Sequence, residues 1–118
     1  MEAKDGLIIL TKLENLERYS RTVMLQFPKN EKFILSAEIR QQLLSIRRNT
    51  VRAAKKFHKK TTLQDLDIDI EILRGYIRIA YGLKYINEHR LMVWIGIIDE
   101  IGRMVGAWLK NQKELPWA

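Results

Sequence analysis

Apolar residues recur along this chain at steps of three and four, and the polar positions between them change character from one segment to the next. In the first segment Ile9, Leu13, Leu16, Ser20, Val23, Met24 and Phe27 share one face, the periodicity of an amphipathic helix. It predicts a helix over 7–27. Glu14, Arg18 and Arg21 lie opposite, and Glu14–Arg18 and Glu17–Arg21 are i,i+4 pairs in the favourable order. Pro28 ends the segment, because a residue before proline is pushed out of the helical region.

The second segment spans 30–59, with Asn30 or Ser36 as a starting cap. Its apolar face is Ile39, Leu43, Ile46, Thr50, Ala54 and Phe57. At the helical repeat, Arg48, Arg52, Lys55, Lys56 and Lys59 fall almost opposite that face, with Arg47 on the border. The third helix is expected over 62–83, opened by Thr61 and Thr62 with Gln64 and Asp65 in capping-box spacing. The run Asp65, Asp67, Asp69 invites a calcium reading. An EF-hand loop counted from Asp65 would need Gly where Ile70 stands and Glu where Tyr76 stands. Carboxylates favouring the positive end of a helix are the better account.

Helix three is apolar on two sides. Leu66, Ile70, Leu73, Ile77 and Ala80 form one seam, while Ile68, Ile72, Gly75, Ile79 and Gly82 form a second ridge. Asn87 caps a fourth helix over 88–111, with a core face of Leu91, Trp94, Ile95, Ile98, Gly102, Val105 and Leu109. Ile97, Ile101, Met104 and Trp108 widen its apolar sector, and Gly102 and Gly106 offer room for another backbone. The tail leaves the helix at Pro116. Four helices with short connections make an all-α, antiparallel four-helix bundle, a single domain at 118 residues. Two-sided apolar helices in so small a protein point to a second subunit, with Ile68, Ile72, Ile79, Ile97, Met104 and Trp108 as the interface candidates.

Charge changes the picture at one place. The chain carries 21 basic and 14 acidic residues, a net charge of +7. Seven of the basic residues (Arg47, Arg48, Arg52, Lys55, Lys56, Lys59 and Lys60) lie in Ser45–Lys60, which holds no Asp or Glu. Without those seven, the 21 become 14 and balance the 14 acids. A local excess of this kind is an electrostatic argument for a polyanionic partner. Phe57, on the core face, is not expected to stack on bases.

Other chemistry is thinly represented. With no cysteine there is no disulfide and no thiolate metal site. His58 and His89 lack metal-ligand spacing and read as surface residues, and no glycine-rich phosphate loop occurs. Catalytic residues, metal and cofactor are therefore expected to be absent. No apolar run reaches membrane-span length, and Met1-Glu-Ala-Lys-Asp opens no signal peptide, which fits a cytoplasmic protein without membrane contact.

Three stretches carry a resemblance. Phe27-Pro28-Lys29-Asn30-Glu31-Lys32-Phe33-Ile34-Leu35, then the basic second helix, then Asp99-Glu100-Ile101-Gly102-Arg103-Met104-Val105-Gly106-Ala107-Trp108-Leu109-Lys110 resemble the accessory variability determinant (Avd) proteins of diversity-generating retroelements. A sister family, the four-helix-bundle proteins of ribosomal-RNA intervening sequences, carries Asn-Ile-Ala-Glu-Gly late in helix two. Here Asn49 is followed by Thr50-Val51-Arg52-Ala53, which favours the retroelement branch. Members often place Gly before the Tyr that follows helix three, where this chain has Lys84 before Tyr85.

The resemblance implies a ring-like homo-oligomer, a pentamer, with a basic surface. It also implies a partnership with the retroelement's reverse transcriptase, and RNA and DNA binding in support of adenine-mutagenic cDNA synthesis from a template repeat. On this reading Arg47, Arg48, Arg52, Lys55, Lys56, Lys59 and Lys60 contact phosphates, and Arg74, Arg78 and Arg103 extend the basic surface or bind the polymerase. The alternatives are a bundle docking an acidic protein, or a member of the intervening-sequence branch.

Overall fold

A computed structural model describes residues 2–112. It holds four α-helices, α1 (Glu2–Met24), α2 (Leu35–Lys55), α3 (Lys60–Gly82) and α4 (Glu88–Lys110), with one 3-10 turn at Lys29–Glu31. The expected tail break at Pro116 lies outside the described residues. Each helix packs on its neighbours in sequence, and α1 also packs on α4, which closes the bundle.

One hydrophobic cluster runs through it. Ile9, Leu13, Leu16 and Val23 enter from α1, and Ile39, Leu43, Ile46 and Ala53 from α2. Leu66, Ile70, Leu73 and Ile77 form the α3 seam, as their spacing predicts. On α4 the buried positions are Trp94, Ile98, Ile101, Val105 and Trp108. They alternate steps of four and three, the seam that packs helix on helix. This rotates the core face from the expected one: Ile101 and Trp108 belong to the interior, while Leu91, Ile95 and Leu109 sit half-buried at its margin. Trp94 also donates from Nε1 to Ser20 Oγ at 2.9 Å, and Ser20 donates onward to the Leu16 carbonyl at 2.7 Å. Satisfying the indole N–H removes the cost of burying it.

Several boundaries differ from the sequence reading. α1 begins at Glu2 and ends at Met24, after which Phe27 turns into the core beside Tyr85 and Trp94, at 5.4 and 6.4 Å between ring centres. α2 starts at Leu35 with Ile34 as its N-cap and no side-chain cap, so neither Asn30, which lies inside the short turn, nor Ser36 caps it. It stops at Lys55, where Lys56 swings to an extended ψ of 146°. α3 begins at Lys60 with Lys59 as its N-cap and no side-chain cap, so the Thr61/Thr62 capping box does not form. The first turn of α3 holds no acidic residue, and the dipole account of the aspartates fails with it. The Asn87 cap is present and accepts the Arg90 N–H at 2.8 Å.

The expected close backbone approach at Gly102 is instead room for a side chain. A Cβ there would stand 2.6 Å from Arg74 Nη2, while Gly106 faces open space. On the α1–α4 side, Lys12 pairs with Glu100, and that hydrogen bond, reinforced by the lysine's charge, holds the Glu100 carboxyl below its usual value.

Candidate nucleic-acid interface

The outward face of α2 is bounded by two different cross-links. On the α1 side Arg47 reaches Glu17, with Nη2 at 2.8 Å and Nε at 2.9 Å from Oε1. On the α3 side Asp69 collects three donors from successive turns of α2. Ser45 Oγ and Asn49 Nδ2 each lie 2.7 Å from Oδ2, and Gln42 Nε2 lies 3.0 Å from Oδ1. A carboxylate holding that many donors is a strong acceptor, and it fixes the rotation of α2 about its axis. Further along, Tyr76 donates to Glu38 at 3.1 Å, and that bond, with burial and the carboxylate's charge, raises the phenol above its ordinary value.

Between these borders Arg48, Arg52 and Lys55 are exposed on one face. Among the described residues no carboxylate pairs with any of the three. Like charges along one helix repel by a few tenths of a kcal/mol per pair, so the face is electrostatically incomplete. Leu44 and Val51 are exposed beside it.

The other predicted cations have other surroundings. Lys56 lies past the helix end and donates to Thr62 Oγ1 at 3.0 Å. Lys59 is not on the outer stripe: it is 5% exposed, with Nζ 5.9 Å from the centre of the Trp108 ring. Lys60 opens α3 and is half-buried. Arg74 is held between Asp99 at 2.9 Å and Glu71 at 3.3 Å, and Arg78 lies 3.8 Å from Glu71. Arg47, Arg74 and Arg78 are thus neutralised within the chain.

Phe57, expected in the core, is 88% exposed. The helix that was to bury it ends two residues earlier. The signal for that end is the basic last turn, Arg52 and Lys55, which suits the negative end of a helix dipole.

Of the interface candidates, Ile68, Ile72 and Ile79 are exposed on α3 at 56, 43 and 50%. Ile97 and Met104 are half-buried against the core. Trp108 is 2% exposed and buried by its own chain, which removes it from any surface between subunits. Its Nε1 has no hydrogen-bond partner among the described residues.

A second basic concavity, which the sequence reading did not single out, lies around the α1–α2 connection. It is a cleft of about 770 Å³ lined by Arg21, Lys29, Lys32 and Arg40 over Met24, Leu25 and Phe27. Among the described residues no cluster of His, Cys, Asp and Glu is placed to hold a metal ion, and no helix is long and apolar enough to cross a membrane.

No curated protein matches the chain. A family model described as bAvd-like matches residues 7–112. The chain belongs to that family.

Proposed function

We propose that the chain is a non-catalytic, nucleic-acid-binding accessory subunit of a retroelement reverse transcriptase, active in the cytoplasm and supporting mutagenic cDNA synthesis from a template repeat. The observation that carries this reading is the outward face of α2: Arg48, Arg52 and Lys55 exposed together without carboxylate partners among the described residues, on a member of the bAvd-like family. Phosphates would supply the missing counter-charge and tolerate any base sequence. The fold behind it is a single-domain antiparallel bundle. Tyr76 with Glu38, Asp69 with Ser45, and Lys56 with Thr62 support that arrangement, since α2 positions fall as their α3 partners rise.

The test is fluorescence anisotropy on labelled single-stranded RNA and DNA across a salt series. With three phosphate contacts per chain, the logarithm of affinity is expected to fall against the logarithm of salt with a slope of about −2 for single strands, and more steeply where several copies engage. Replacing Arg48, Arg52 and Lys55 together with Glu abolishes binding while the helical circular dichroism stays. Binding insensitive to salt or to the triple change would overturn the phosphate reading. An unshifted probe, with the polymerase still bound, would assign the face to an acidic protein surface.

The bundle also assembles, in this proposal, through the ridge of Ile68, Ile72 and Ile79 into a ring-like homopentamer that repeats the basic face around its rim. Exposed branched aliphatics with Gly75 between Ile72 and Ile79 and Gly82 beyond them suit close helix contact. Changing the three isoleucines to Ser yields a monomer by light scattering and weakens nucleic-acid binding about a hundredfold, because linked weak sites bind far better than one. A wild-type monomer would remove the ring.

A further inference from the structure

The four residues 56–59 turn the chain from α2 into α3 with their polarity inverted. Lys59 is packed inward against the Trp108 ring, and Phe57 stands outward at 88% exposure. The turn is tied at both ends. The Lys56 N–H donates to the Arg52 carbonyl at 2.9 Å, Lys56 Nζ donates to Thr62 Oγ1 at 3.0 Å, and the Leu63 N–H donates to the Lys59 carbonyl at 2.8 Å. His58 sets its ring perpendicular to that of Phe57, with 4.8 Å between centres. The aromatic pair is thus presented on an anchored turn.

Its place in the chain gives it a meaning that an isolated exposed Phe lacks. Arg52 and Lys55 form the last turn of α2, and the aromatic pair follows directly where that basic face runs out. A backbone tracked by Arg48, Arg52 and Lys55 would arrive at Phe57 with its next base beside an unoccupied ring face. Cations along a path with an aromatic platform at its end are the recurring means of holding single strands. Phe57 has no donor or acceptor with which to read a base edge, so the contact would be indifferent to sequence. It would require an unpaired base, since a duplex keeps its bases stacked on one another.

We propose that Phe57, with His58 as its edge support, is a stacking platform for an unpaired nucleobase, making the α2 face selective for single strands over duplex. This rests on the nucleic-acid reading above and adds to it what the phosphate contacts alone cannot give, a distinction between strand states. The face of an aromatic ring suits RNA and single-stranded DNA alike, and the two are separated by the probes.

The experiment measures affinity of the full chain for a short labelled single-stranded RNA, a DNA of the same sequence, and the corresponding RNA duplex. Phe57→Ala is expected to weaken single-strand binding about tenfold and to leave the duplex and the salt slope unchanged, because no charge is removed. Phe57→Trp restores single-strand affinity. A loss on both single strands assigns the platform to either, and a loss on RNA alone assigns it to RNA. The proposal is overturned if Phe57→Ala binds single strands as the wild type does while the Arg48/Arg52/Lys55 reversal abolishes binding. That outcome leaves the phosphate reading intact. Equal loss on the duplex, or a change in light-scattering mass that marks the ring as a contact between copies, overturns it as well. A wild-type chain that binds none of the probes removes both readings together.

Discussion

The two connectors that flank α3 are similar in length and opposite in construction. At 83–87 every position but Lys84 obeys a local rule. The chain leaves α3 with Lys84 in the left-handed region at φ 65°. The Tyr85 N–H reaches the Ala80 carbonyl at 3.0 Å and the Lys84 N–H reaches that of Tyr81 at 2.9 Å. These are the two bonds of a Schellman motif. Ile86 is buried, Tyr85 packs on Phe27, and Asn87 caps α4. At 56–59 the side chains do the reverse: the helix that follows has no side-chain cap, the lysine is inside and the phenylalanine is outside. One turn departs from the local rules only at the backbone of Lys84, while the other inverts its side chains, and departures of that second kind are where function rather than stability is to be sought.

Stability measurements on matched truncations would break this contrast most directly. Ile86→Ala removes a side chain 5% exposed and is expected to cost about 3 kcal/mol, read as a lower urea midpoint at unchanged slope. Phe57→Ala removes a larger side chain from the other turn and is expected to change stability by no more than about 0.5 kcal/mol. If the two variants lose comparable stability, Phe57 is a packing residue in solution and the two turns are alike in kind.

The same contrast shows what the sequence carries and where it stops. The α1 face, the α3 seam and the Asn87 cap are local patterns, and each is present where its spacing puts it. The end of α2 was hidden because Thr50, Ala54 and Phe57 keep the helical period past the point where the helix stops. Periodicity reports which face a residue would share, and says nothing of whether the last turn still has a neighbour to pack on. Trp108 reads from sequence as an interface residue because α4 offers two overlapping apolar stripes. Only the packing of α1 and α3 against it selects the stripe that becomes core.

The basic stretch divides for a similar reason. Arg47 and Arg74 are neutralised by Glu17 and Asp99, which are 30 and 25 residues away in sequence. The hub at Asp69 draws its donors from 20 to 27 residues away. No window along the chain contains those pairs. Counting charges therefore locates the basic helix but does not separate the cations already satisfied from Arg48, Arg52 and Lys55, which the fold leaves exposed and without a carboxylate among the described residues.

The smallest expected effect sharpens the stable side of the comparison. Lys84 holds a φ of 65°, where a Cβ crowds the backbone at a cost of about 1–2 kcal/mol that glycine does not incur. Its side chain is exposed, so little packing is lost with it. Lys84→Gly relieves the strain while freeing the unfolded chain, and the two effects oppose each other. The strain is the larger, so a net gain of about 0.5 kcal/mol is expected, with a rise of about 3 °C in the thermal midpoint. The Schellman bonds from Tyr85 and Lys84 involve backbone alone and remain, so amide exchange at those two N–H groups slows with the gain. A loss of stability on the same substitution would show that the lysine side chain supports this turn, and that the better-ordered connector depends on the one residue in it that the rules disfavour.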